Sequence, residues 1–403
     1  MEEPALAPEI ADHLVQPERM VSARFVIVTL ATFFYFLSMG MLIPTLPRYV
    51  EDELGAGGIA VGVVVGAFAV SAALARPWAG RLGDVRGRRL LMVGGSIIVG
   101  VTTLAYALTD AVPLLVFFRF LTGFGEAAVF VGAATAIQDM APDDRRGEAA
   151  SIFSVALYGG LAFGPIIGER VADTYTFHTV WVVSGLFALV AAALGMGTAK
   201  RVEGIIAKPT SLLHPNALGP GLVLMLGLVP FTGFAAFLSL YGEEVGIDDV
   251  GPVFGAYAIA VLVIRLLGAR LPDTLGWRKA STIALIAVTT AAVIIGAWES
   301  AAAVWVASGF FAIGMSLLFP ALFSAAMIGV PDEQRSQAVG TFSLFFDLAN
   351  GLGAPLLGLI VSLTSYRGAF LASALIAALG FAAQVRLQRK ITGDETPGTA
   401  PAH

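Results

Sequence analysis

Residues 80–89 read Gly-Arg-Leu-Gly-Asp-Val-Arg-Gly-Arg-Arg, a strongly cationic connector with one carboxylate, Asp84, set between two apolar runs. A diluted copy stands at residues 268–279, Gly-Ala-Arg-Leu-Pro-Asp-Thr-Leu-Gly-Trp-Arg-Lys. Superposing Asp84 on Asp273 sets an offset of 189 residues, and other landmarks then fall into register: Arg76 with Arg265, Gly87 with Gly276, Arg89 with Arg278, Gly125 with Gly314. The loop Pro142-Asp143-Asp144-Arg145-Arg146 meets Pro331-Asp332-Glu333-Gln334-Arg335 at the same offset. Chance identity is common in apolar sequence, but two charged loops sharing one register are not. The chain reads as a duplicated unit with charged hinges.

Between the hinges the sequence is apolar. Of 403 residues 57% are hydrophobic and 13% charged, where a soluble domain carries about a quarter charged residues. Forty-six glycines accompany this bias, and glycine is more frequent in membrane helices than in soluble ones. A soluble fold would need one enormous core with almost no polar rim, so the composition places the chain in a lipid bilayer. It contains no cysteine, which excludes disulfides, thiolate metal sites, iron–sulfur clusters and cysteine nucleophiles. His13, His178, His214 and His403 fall in tails or loops without paired helical spacing, and there is no His-Glu-x-x-His and no Walker-type lysine loop. Neither a metal, a cofactor nor a nucleic-acid partner is expected. The first 24 residues carry Glu2, Glu3, Glu9 and Asp12, unlike the cationic start of a secretory signal, so the first apolar run is expected to be a retained helix.

A helix needs about 20 apolar residues to cross roughly 30 Å of hydrocarbon. Such runs cover 25–46, 59–79, 90–108, 113–138, 149–171 and 179–199, then, after a polar connector, 218–241, 251–271, 280–298, 304–328, 338–363 and 369–385. The expected fold is an all-α integral membrane protein, with twelve transmembrane helices forming two parallel six-helix repeats around a central cavity. The expected organisation is a tail at 1–24, bundles at 25–199 and 218–385, a linker at 200–217 and a tail at 386–403, in a monomer. Because six helices separate the copies, the two halves share one orientation, which suits alternating access by rocking.

Lysine and arginine set the orientation. With the N-terminus inside, the cytoplasmic segments hold Arg19, Arg24, Arg81, Arg86, Arg88, Arg89, Arg145, Arg146, Lys200, Arg201, Lys208, Arg270, Arg278, Lys279, Arg335, Arg386, Arg389 and Lys390, against Arg48, Arg170 and Arg367 opposite. Both termini are therefore expected in the cytoplasm and the protein in the cell (cytoplasmic) membrane.

In the hinge, Gly80 and Gly83 permit close helix packing and Gly87 a tight turn. Asp84 suits a helix N-terminus, where an anion gains about 0.3–1 kcal/mol, or up to about 2 when partly buried. The plain alternative is a positive-inside loop. Gly80, Asp84, Gly87, Arg88 and Arg89 match position by position the Gly-x-x-x-Asp-x-x-Gly-Arg-Lys/Arg pattern between helices 2 and 3 of the major facilitator superfamily, which the chain resembles from Phe25 to Val385. The resemblance implies a latch between the halves, repeated at Asp273, that holds the outward-open state. It implies that Asp84 approaches the start of helix 11 near residues 337–340, and that Arg88 reaches Asp139 or Asp143 at the end of helix 4. Arg119-Phe-Leu-Thr-Gly-Phe-Gly125 is similar to the family's second motif, linked to proton coupling. Gly160, Gly164, Pro165 and Gly168 in helix 5 resemble the third motif, typical of proton-driven exporters, although Glu169 replaces its last glycine. Glycines four apart also give a smooth packing face, so a packing role for this stretch stands beside the functional one.

Ionisable groups inside membrane runs are functional candidates by default, each costing at least about 2.5–3.5 kcal/mol at the bilayer centre. Arg119, Glu126 and Asp347 qualify. Glu126 lies seven residues beyond Arg119, two turns on and nearly on one face. It is expected to exchange a proton under Arg119's influence; the alternative is a permanent salt bridge. Arg76 and Arg265, read as lying at helix ends, are expected to snorkel to the interface.

In the resembled family helices 1, 4, 7 and 10 line the cavity. Here they offer Tyr35, Met39, Phe130, Phe234, Tyr241, Met315 and Phe319, a lining suited to an amphipathic or hydrophobic solute, although aromatics also pack cores. The chain is similar to twelve-helix drug:proton antiporters and, at Phe319-Pro-Ala-Leu322, to arabinose-efflux-like permeases. The expected function is secondary active transport by alternating access, as proton-coupled efflux of a small organic molecule powered by the proton gradient without a cofactor. The alternative is a proton-coupled sugar or metabolite permease. A membrane-embedded lipid enzyme would show clustered aspartates or histidines near one membrane face, and none appear.

Overall fold

A computed structural model of the chain describes residues 22–56, 58–198, 211–247 and 250–394. Most of the expected N-terminal tail (1–21), the last residue of the expected first bundle (199), residues 200–210 of the expected linker and the last part of the C-terminal tail (395–403) lie outside the described residues. Among the described residues there are twelve α-helices and no strand, as a bilayer requires of segments that must satisfy every backbone group internally. In the first half these are α1 (Ala23–Arg48), α2 (Gly58–Arg86), α3 (Arg88–Tyr106), α4 (Val112–Asp139), α5 (Arg146–Thr174) and α6 (Phe177–Gly195). The second half contains α7 (Pro215–Glu244), α8 (Gly251–Leu267), α9 (Leu271–Ala297), α10 (Ala301–Ala326), α11 (Arg335–Leu363) and α12 (Tyr366–Asp394). Eleven are long and apolar enough to cross a membrane, and α8 is the shorter twelfth. Side-chain caps start several of them: Ser22, Thr176 and Ser300 accept the backbone N–H of Phe25, Thr179 and Ala303.

The helices overrun the apolar runs, because the charged hinges are themselves helical. α2 continues seven residues past Ala79, to Arg86. α9 begins at Leu271, not near residue 280, and is interrupted only at Gly276, whose φ is 73°. The duplication is visible in this detail. Gly87, 189 residues earlier, ends α2 with φ 93°, a left-handed conformation that favours glycine. α5 and α11 coincide end to end under the same shift, and so do the 3₁₀ turns Asp143–Arg145 and Asp332–Gln334 that precede them.

Within the first half α1 packs on α5 and α6, and α4 on α2 and α3; in the second, α7 packs on α11 and α12, and α10 on α8 and α9. The halves meet where α2 lies along α11, and where α5 touches α8 and α10. Backbones come close at the first of these contacts: a Cβ added at Gly80 would lie 2.7 Å from the Ser336 carbonyl oxygen, and one at Gly340 would lie 2.6 Å from that of Arg76.

Candidate functional site

Three helices bring their ionisable groups to one point. Arg76 of α2 directs Nε to Asp347 Oδ2 of α11 (2.7 Å), while Nη2 donates to Asp347 Oδ1 (3.1 Å) and to Glu126 Oε1 of α4 (3.0 Å). Its guanidinium carbon lies 4.2 Å from the centre of the Phe130 ring. Arg76 is 2% exposed and Glu126 6%, so both charges are out of bulk solvent and each depends on the other. Expectation and structure differ here: Arg76 does not snorkel. It lies ten residues before the end of α2, about 15 Å at 1.5 Å per residue, and lipid-facing escape is replaced by a fork-shaped pairing with carboxylates.

Arg119, expected beside Glu126, makes no ion pair among the described residues. It is buried with its guanidinium carbon 4.5 Å from the Phe68 ring centre. Tyr35 is fully buried within electrostatic reach of Glu126, Arg76 and Arg119, and its hydroxyl has no partner. Arg265, the repeat counterpart of Arg76, is also buried, at 3% exposure. Its Nη2 donates to the Met315 carbonyl (2.8 Å) and its guanidinium carbon lies 4.5 Å from the Tyr158 ring centre.

The hinge residues form two matched clamps. Asp84 accepts the backbone N–H groups of Ser336 and Gln337, both at 2.8 Å, at the start of α11. Asp273 accepts those of Gly147 and Glu148, both at 2.7 Å, at the start of α5. Each carboxylate thus caps a helix of the opposite half, where free N–H groups and the helix dipole favour an anion. Each clamp carries a charge network of two arginines on one carboxylate. Arg88 pairs with Asp139 (2.9 Å) and donates to the Asp332 carbonyl across the halves, and Arg335 pairs with the same Asp139 (3.2 Å). At the second clamp Glu148 pairs with Arg145 of its own half (2.7 Å) and with Arg270 of the other half (3.3 Å). Arg89 makes no ion pair among the described residues. Arg335 was not singled out in the sequence, although its register with Arg146 was visible there; Arg146 likewise crosses the halves, to the Met327 carbonyl at 3.1 Å.

Gly160, Gly164 and Gly168 lie against α1. A Cβ on Gly164 would stand 2.6 Å from Gly40 Cα, and Pro165 packs beside Gly40. Among the aromatic candidates, Phe130 touches Arg76, whereas Phe319 packs with Phe323, Phe342 and Phe346. Met39 and Met315 are buried. Phe234 packs against Phe311 inside the second half. Tyr241 is fully buried near the end of α7, its hydroxyl donating to the Ile295 carbonyl and its ring against Phe370.

A bundle of twelve apolar helices in two halves aligned by one 189-residue shift, with an ionic cluster and paired clamps at their boundary, has the architecture of a secondary transporter and not of an enzyme. The sequence profile of the Major Facilitator Superfamily matches residues 28–333 and 221–401; the chain belongs to that family. An uncharacterized MFS-type transporter of Salmonella typhimurium is 29% identical over 375 residues, covering 88% of this chain and 94% of its own. One from Burkholderia mallei is 26% identical over 405 residues, covering 96% and 97%. Among solved structures, the human organic anion transporter MFSD10 (TETRAN) superposes with a TM-score of 0.77 at 19% identity, over 92% of this chain and all of that one. The E. coli fucose:proton symporter FucP gives 0.75 at 15% identity, over 90% and 98%.

Proposed function

We propose that the protein is a proton-coupled exporter that expels a small amphipathic organic molecule by alternating access. In this reading it works as a monomer in the cytoplasmic membrane, with both termini and the basic hinges inside. The observation that carries the proposal is the Arg76–Glu126–Asp347 triad. Arg76 and Glu126 belong to the first half and Asp347 to the second, so the triad is both a proton site and a tie between the halves. With both acids ionised the single guanidinium holds α2, α4 and α11 together. Protonation of Asp347 removes the charge that draws it to Arg76 and loosens the tie between the halves; protonation of Glu126 leaves Arg76 free to serve Asp347 alone. A proton arriving at the triad therefore changes how firmly α2 holds α11, which is what coupling to rocking needs. The Asp84 and Asp273 clamps close the face that carries the termini and act as the latch. Export is favoured over uptake by the helix-5 glycine series Gly160, Gly164 and Gly168. FucP, named a fucose:proton symporter, illustrates the competing reading, uptake of a sugar or other metabolite, on the same fold.

The test is proton movement in everted vesicles holding a pre-formed pH gradient, challenged with norfloxacin, chloramphenicol, benzoate and L-arabinose. At least one solute is expected to dissipate the gradient through the wild type and not through Glu126→Gln or Asp347→Asn. Undiminished proton movement in both variants overturns the triad as the coupling site.

A further inference from the structure

The repeat allows the two buried arginines to be compared position by position. Arg76 meets Glu126 and Asp347; shifted by 189 residues, those two acids correspond to Met315 and Tyr158. The correspondence holds in space, since Met315 and Tyr158 are the residues that Arg265 touches. The second site therefore keeps the placement of the first without its carboxylates, the Arg265 guanidinium turning to the Met315 main-chain carbonyl and the Tyr158 ring. Arg265 Nε and Nη1 have no acceptor, and Arg265 makes no ion pair among the described residues.

Charge balance leads to the same place. At mid-helix Arg76 and Arg119 are offset by Glu126 and Asp347, all four within one electrostatic cluster around Tyr35 and Arg76. Arg265 is left as a buried cation without an anion, an arrangement that is costly unless a counter-charge arrives. Residues of both halves surround it: Tyr158 comes from α5, Arg265 from α8 and Met315 from α10. Tyr257, two turns earlier on α8, lies within electrostatic reach of Arg265 and Tyr158. The half-buried Tyr257 ring stacks on half-buried Phe231, with centroids 4.9 Å apart. A cation with free donors beside an aromatic wall suits an anion with an apolar body.

We propose that Arg265 takes the anionic group of the transported molecule, an organic carboxylate or similar oxyanion whose apolar body lies against Tyr257 and Phe231, with Tyr158 closing the site from the opposite half. The proposal rests on the protein being a transporter, and on neither its direction nor its proton coupling. It explains why the Arg265 site lacks the acids of the Arg76 site: a resident carboxylate at position 158 or 315 would compete with the substrate.

The test is thermal unfolding of purified protein followed by tryptophan fluorescence, without ligand and with benzoate, benzenesulfonate or phenyl phosphate, against the matched benzamide and benzylamine. At least one anion is expected to raise the wild-type unfolding temperature while benzamide and benzylamine do not. Arg265→Met should lose that shift, with binding weakened by about tenfold or more as charge-assisted hydrogen bonds are lost, and Arg265→Lys should keep part of it. Without ligand, Arg265→Met should unfold no earlier than wild type. Tyr158→Asp, which supplies the carboxylate that Asp347 provides at the first site, should unfold later and ignore the anions. The proposal is overturned if no anion stabilises the wild type more than Arg265→Met, if benzamide or benzylamine stabilises it equally, or if Arg265→Met without ligand unfolds much earlier. No pH gradient is involved, so a protein that binds the anions yet moves no protons fails only the coupling reading.

Discussion

At the scale of single residues, Arg76 and Arg265 have the same place in the repeat and opposite needs. Arg76 holds two carboxylates that have no other ion-pair partner among the described residues, and breaking a buried pair by removing one partner costs about 3–5 kcal/mol. Arg76→Met is therefore expected to lower the unfolding temperature strongly, and combining it with Glu126→Gln and Asp347→Asn should recover most of the loss, since no unpaired acid remains. Unfolding in detergent measures both; a triple variant as unstable as Arg76→Met alone would mean that Arg76 acts through packing on Phe130, 4.2 Å away, and not through charge. Glu126 and Asp347 were legible in the sequence as acids inside apolar runs. Their partner was not, because counting apolar residues ended the second run at Ala79 and made Arg76 terminal, whereas the helix runs on through Arg81 to Arg86. The repeat held the missing signal: two arginines in register inside apolar sequence, and two intramembrane acids short of one cation.

Among the helices, α1 and α5 show how glycine sets distance. A Cβ on Gly164 would stand 2.6 Å from Gly40 Cα and 2.7 Å from the Leu37 carbonyl oxygen, so the backbones themselves would have to part. Gly164→Ala is expected to destabilise by about 1–3 kcal/mol. Gly351→Ala on α11, with nothing within 4 Å, should be neutral or stabilising by up to about 1 kcal/mol from helix propensity; equal effects of the two in thermal unfolding would remove the packing argument. This stretch was readable as a packing face from spacing alone, and the structure supplies its partner, α1. The start of α7 is anchored differently. His214 Nδ1 accepts the Asn216 N–H, so Nε2 carries the proton that Gln334 accepts at 3.0 Å, and the His214 N–H donates to Thr341 on α11. Burial lowers the His214 pKa from its ordinary value. A depressed histidine pKa means the folded state prefers the neutral ring, so this contribution is present above the unfolded value of about 6.5 and is lost as pH falls below it. Unfolding temperature should drop between pH 7.5 and 5.5 more in wild type than in His214→Asn. An identical pH dependence in the two proteins would exclude His214 as its source.

For the molecule as a whole, the two halves are held by paired devices that the duplication placed alike and that different residues now reinforce. Asp84 and Asp273 each cap a helix of the other half through two backbone N–H groups; Arg88, Asp139 and Arg335 reinforce the first clamp, and Arg145, Glu148 and Arg270 the second. The paired charged loops made the symmetry visible in sequence; that the two networks use different residues was partly visible too, since Arg88 corresponds to Trp277 and Asp139 to Ile328. What sequence could not give was the cross-half register, because Ser336, Gln337, Gly147 and Glu148 contribute backbone N–H groups that every residue but proline has. The absence of cysteine makes the clamps directly testable, since Ser336→Cys would be the sole thiol. Ser336 is fully buried against Gly83, and its side chain becomes reachable by a maleimide only when α2 and α11 separate. Each hydrogen bond to a charged group is worth about 1.5–3 kcal/mol, and about 1.4 kcal/mol is a factor of ten in an equilibrium. Asp84→Asn is therefore expected to speed labelling of Ser336→Cys by about tenfold or more. Asp273→Asn should speed it less, because the Arg88–Asp139–Arg335 network still ties the halves beside the thiol. If Asp273→Asn opened this face as much as Asp84→Asn, the halves would part as one rigid hinge with the clamps sharing the load, and the charge network would have no separate part in holding them.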